Sequence, residues 1–87
     1  MIYEGTVPNS LVRINIDVGY IVILNVLKGS HYVLATGFKD NTIFVNDPLH
    51  TSTKSYDLGS VVNGKTVIYK VPVSFPIMVD ELEAFIL

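Results

Sequence analysis

One stretch of the chain leaves few options for its fold. Residues 20–27, Tyr-Ile-Val-Ile-Leu-Asn-Val-Leu, are apolar except at Asn25 and dense in β-branched side chains. A bilayer-spanning helix needs about 20 such residues and a buried helix usually at least about ten, so this run is too short for either. It also lacks the apolar–polar alternation of a strand with one wet face. A strand covered on both faces is what remains, and the run is expected at the centre of a sheet.

Turn residues punctuate the chain at short intervals on either side, as in a strand-rich domain. Lys28-Gly29-Ser30 reads as a turn, residues 32–38 as a second strand and residues 42–46 as a third, with Lys39-Asp40-Asn41 as the hairpin loop between them. Asp47-Pro48 ends the third strand, because proline offers no N–H to a ladder and restricts the residue before it. The polar residues 50–55 read as a loop. Asn63-Gly64 predicts a hairpin between residues 56–62 and 66–71, and Pro72 and Pro76 then interrupt regular pairing. Helices are the minority. Asn9 or Ser10 is placed to cap a short helix carrying Leu11, Val12 and Ile16 and ending at Gly19. Residues 78–87 have acids early, at Asp80 and Glu81, and Met78, Leu82, Phe85 and Ile86 at helical spacing, which fits a short amphipathic tail helix, with an extended tail as the alternative. The expected architecture is α+β, mainly an antiparallel β-sheet with one or two short helices, in a single small domain over residues 1–87.

Composition narrows the function. At 87 residues with 49% hydrophobic and 16% charged residues, the chain has enough apolar content for one thin core and lies outside the disordered class. Six basic against eight acidic residues, a formal charge of −2 and no Lys/Arg cluster argue against nucleic-acid or anionic-membrane partners. No segment is long and apolar enough to span a membrane, and residues 1–10, with Glu4, Pro8 and Asn9, do not read as a signal peptide. None of this identifies a compartment. There is no cysteine, which excludes a disulfide framework, a thiolate metal site and any cysteine nucleophile from these residues. The aromatic residues Tyr3, Tyr20, Tyr32, Tyr56, Tyr69, Phe38 and Phe44 read as core bulk, since no basic residues interleave with them as in a stacking platform.

Only the hairpin from Ser30 to Pro48 combines titratable side chains with a testable geometry. His31 opens one strand and Asp47 follows the next, so antiparallel pairing brings them to one end of the sheet. With a three-residue loop, Phe38 opposes Thr42 and His31 opposes Leu49, and Asp47 lies diagonally from His31 on the same face, about 7 to 8 Å away between backbone positions. A two-residue loop turns Asp47 to the opposite face unless a bulge restores it. The functional reading of such a pair is a general base with its orienting carboxylate. The plain reading is a rim histidine and a turn-forming Asp-Pro. His50 adds a third potential metal ligand to His31 and Asp47, but a loop histidine beside Thr51 and Ser52 is more often simply solvated, and no metal or cofactor is expected. Ser30 is a poor nucleophile for His31, because neighbouring strand residues point apart.

The segments Gly29-Ser30-His31-Tyr32-Val33-Leu34-Ala35-Thr36-Gly37-Phe38 and Thr42-Ile43-Phe44-Val45-Asn46-Asp47-Pro48 resemble the histidine and aspartate motifs of the C39-like cysteine peptidases, relatives of papain. Val18-Gly19-Tyr20-Ile21-Val22-Ile23 is similar to the strand before the histidine in that family, with Ile21 in place of the usual proline. The resemblance covers about a third of the chain. It implies the C-terminal, β-rich half of a papain-like domain, with His31 as general base and Asp47 as orienting carboxylate in a hydrolase of peptides. The family's nucleophilic cysteine and oxyanion-hole glutamine belong to an N-terminal lobe that this sequence lacks, so the chain alone is expected to be inactive. Self-association, or a chain supplying the Cys lobe, follows as the expected partnership. The alternative is a non-catalytic binding or scaffold module of the same fold, in dimeric form.

Overall fold

The computed structural model describes residues 2–70. They form six strands, β1 (Ile2–Val7), β2 (Ile21–Val26), β3 (His31–Lys39), β4 (Thr42–Asn46), β5 (Ser55–Asp57) and β6 (Thr66–Lys70), with one helix, α1 (Val12–Asp17), and three single 3-10 turns. The strands make one antiparallel sheet in the order β1-β6-β2-β3-β4-β5. The architecture is α+β and mainly β, as the sequence implies.

The apolar run becomes β2, buried at all six positions and flanked on both sides by other strands. Strand periodicity sends Val22, Leu24 and Val26 to one face, where they pack with Val33, Ile43, Val45 and Ile68 beneath Val12 of α1 and Val61. Ile21 and Ile23 point the other way and join Leu34, with Val67 and Tyr69 packed against them. Each fully buried aliphatic side chain contributes about 2 to 3 kcal/mol, so β2 is the main anchor of the fold.

Several local expectations are corrected. Asn9 and Ser10 make no side-chain cap. The chain enters α1 through a 3-10 turn at Asn9–Leu11, and the Asn9 amide instead donates to the Leu58 and Val61 carbonyls at 3.2 and 2.8 Å. The helix ends at Asp17, and Gly19, at φ +89°, turns the chain out of it as the sequence implies. Asn63-Gly64 reverses the chain, with Lys65 N–H donating to the Val62 carbonyl, but it does not join two paired strands. Only Gly64 has positive φ, whereas the favoured type I′ hairpin turn requires it at both positions. The strand before it stops early because the Asp57 carboxylate accepts the Gly59 N–H at 3.0 Å and caps a 3-10 turn at Leu58–Ser60. β5 therefore pairs with β4, while β6 crosses to lie between β1 and β2 and gains two ladders.

β1 is an element the sequence reading lacks. Its first three positions are exposed and only Val7 packs on the core, so it carries little burial pattern to read. Among the aromatic residues, Tyr20 and Tyr56 pack on the core, but Tyr3, Tyr32, Phe38 and Phe44 are exposed and are not core bulk. Pro72, Pro76 and the expected tail helix lie outside the described residues. Among the described residues, no helix is long and apolar enough to cross a membrane.

Candidate functional site

The β3–β4 hairpin takes the second of the two routes the sequence leaves open, a two-residue loop corrected by a bulge, and not the three-residue loop. Lys39 pairs directly with Thr42, so the connection is the two-residue Asp40-Asn41, with Asp40 at φ +54°. Continued unbroken, that register would turn Asp47 away from His31. A bulge between Ala35 and Gly37 inserts Thr36 as an unpaired residue, after which Leu34 pairs with Asn46. Asp47 thereby returns to the face that carries His31, Val33 and Ile43.

His31 Nε2 and Asp47 Oδ1 are 2.8 Å apart, and their side chains are 11% and 0% exposed. Oδ1 also accepts the backbone N–H groups of Leu49 and His50, each at 3.1 Å, from the turn that follows Pro48. The Tyr56 hydroxyl donates to Oδ2 at 3.4 Å. Burial pushes the Asp47 carboxyl upward, but the hydrogen bonds from His31 and from the His50 and Leu49 amides, with the charge of His31, outweigh it and hold the group below the ordinary carboxylate value. Tyr56 moves up, through burial and then the adjacent Asp47 charge and hydrogen bond. An ionised carboxylate can only accept, so in the neutral His31 ring the proton resides on Nε2 and Nδ1 keeps its lone pair.

His31 is delivered by a strained turn. Leu27, Lys28 and Gly29 take φ +52°, +56° and +93° in succession, a left-handed run in which only glycine is at ease. The buried Asn25 amide steadies it, donating to the Gly29 carbonyl at 3.3 Å and reaching the His31 carbonyl at 3.5 Å. Ser30 Oγ donates to the Leu27 carbonyl at 2.7 Å, which commits its proton away from His31. Leu27, Lys28, Tyr56, Val61 and Val62 line a cleft of about 470 Å³, and Tyr56 links it to Asp47.

The structure brings His31 and Asp47 together, and it adds His50, which the sequence offers as a third metal ligand or, more often, as a solvated loop residue. His50 is exposed, but its ring stands edge-on to His31 with centroids 5.1 Å apart. Asn25 and Tyr56 were missed by sequence reasoning. Asn25 carried a usable signal, since a lone amide within a doubly buried strand must find partners. Tyr56 carried none, because its position depends on the β4–β5 pairing. No family model, curated protein or solved structure matches the chain.

Proposed function

We propose that the chain supplies the His–Asp half of a cysteine-peptidase centre, as the β-rich part of a C39-like domain whose nucleophile is carried outside these 87 residues. The observation that supports this reading is the 2.8 Å His31–Asp47 pair, with the acid buried and its oxygen fixed by two backbone amides. In this role Asp47 holds the tautomer that leaves His31 Nδ1 to accept the thiol proton. The thiolate attacks the substrate carbonyl, and the imidazolium returns the proton to the leaving amine. With no cysteine, the chain alone is inactive. Leu11, Ile14 and Val18 form an exposed apolar stripe along α1 and its ends, a surface suited to self-association or to a chain bearing the Cys lobe. The missing cysteine equally favours a second reading, a binding or scaffold module that uses the same pair as a polar clasp.

Two measurements test the proposal. Nitrogen NMR of the His31 ring is expected to show protonated Nε2 and lone-pair Nδ1, with that preference lost in Asp47→Ala or, should that variant not fold, weakened in Asp47→Asn. Co-expression with a Cys-bearing segment encoded beside the chain is expected to give peptide hydrolysis that His31→Ala abolishes. Hydrolysis indifferent to His31→Ala refutes the base role. An intact tautomer without hydrolysis in any such assembly favours the scaffold.

A further inference from the structure

We propose that His31, Asp47 and His50 bind a divalent transition-metal ion of the zinc class. Each offers one ligand atom, and these atoms lie within 4.8 Å of one another at the end of the β3–β4 hairpin. The Asp47 side chain is fully buried and anionic, and among the described residues its Oδ2 makes only the long 3.4 Å contact with Tyr56, so it retains lone pairs for an ion. Two neutral imidazoles and one carboxylate make a three-ligand set with the fourth position open, the pattern of zinc sites that keep a water. Nitrogen donors in the majority disfavour magnesium and calcium. Ligand atoms around a tetrahedral ion at about 2.0 to 2.1 Å lie roughly 3.3 Å apart, so the ion takes the place of the His31 Nε2 proton, the 2.8 Å Nε2–Oδ1 pair opens slightly and His50 closes in. His50 is exposed and can supply the inward movement, while the His31 main chain stays paired with β2.

This site does not depend on the peptidase reading. If both hold, they exclude one another in time, because an ion shared by His31 and Asp47 sits on the ring edge facing Asp47, where it replaces the Nε2 proton and the hydrogen bond that orients the base.

The test is calorimetric titration of the metal-free chain with zinc chloride, with magnesium chloride as the control. One zinc ion per chain is expected, with no magnesium binding and with the ring resonances of His31 and His50 shifting together. His50→Ala removes an exposed ligand without disturbing the core, and it is expected to weaken zinc by at least about tenfold. No zinc binding, equal affinity in His50→Ala, or zinc that perturbs His50 but not His31 each overturns the site. None of those results alters the His31 tautomer, so this proposal and the peptidase reading fail separately.

Discussion

Asp47 is the residue whose loss should be felt most for its size. Its carboxylate receives His31 Nε2 at 2.8 Å, two backbone amides at 3.1 Å and the Tyr56 hydroxyl at 3.4 Å. Asp47→Ala strands these donors at a buried position. Hydrogen bonds to a charged group contribute about 1.5 to 3 kcal/mol, and breaking a buried charged pair typically costs about 3 to 5 kcal/mol. Small domains are stable by little more than about 5 kcal/mol, so Asp47→Ala should leave the chain close to unfolding. Asp47→Asn keeps one acceptor oxygen for the two amides and loses the charge and the long Tyr56 contact to the second oxygen, which should cost about 1 to 2 kcal/mol. The assay is urea unfolding followed by circular dichroism, with the shift in midpoint read at constant slope. Acid supplies the second axis. A carboxyl held below its ordinary 3.8 adds stability that is complete above that value and disappears as the pH falls through the lower folded value. The gap between the parent and Asp47→Asn should therefore be constant near neutrality and close below pH 3.8. A neutral-pH gap under about 0.5 kcal/mol, the scatter of an ordinary surface change, would refute the reasoning. So would a gap that survives unchanged into strong acid.

Two other outcomes follow from the same packing. Leu24→Ala empties a fully buried position on β2 and should cost about 3 kcal/mol in the same unfolding assay, whereas Ile14→Ala, on the exposed side of α1, should stay within about 0.5 kcal/mol. In an alkaline ultraviolet titration of the five tyrosines, Tyr56 should ionise above its ordinary 10.0 and move back down in Asp47→Asn, because that change removes the neighbouring charge.

What could be read from the sequence was whatever local chemistry dictates. The run at 20–27 announces a doubly buried strand because neither its length nor its composition fits anything else, and β4 is found at Thr42–Asn46 because Asp47-Pro48 must end it. Pairing partners were less legible. Asn63-Gly64 says that the chain reverses, but the choice of β1 and β2 as neighbours of β6 is made by tertiary burial of Thr66 and Ile68. The site falls between these cases. His31 and Asp47 were legible as a pair, yet their shared face depends on Thr36 bulging out of β3, and nothing about an Ala-Thr-Gly sequence states that it will bulge.

The turn before His31 shows how the fold holds such a pair in place. Left-handed conformations at Leu27 and Lys28 cost about 1 to 2 kcal/mol each. Opposing that strain, Ser30 places both its N–H and its hydroxyl on the Leu27 carbonyl, and Asn25 ties the Gly29 and His31 carbonyls, each net bond contributing about 1 kcal/mol. The two sums are comparable, so the turn is held by its polar partners and not by any backbone preference. Its tightness in turn sets the ladder: Val26 pairs with His31, leaving no slack between the buried strand and the histidine. His31 is thus fixed through its main chain from β2 and through its ring from Asp47. Asn25, set in the most buried strand of the sheet, is the residue through which the core and the site are joined.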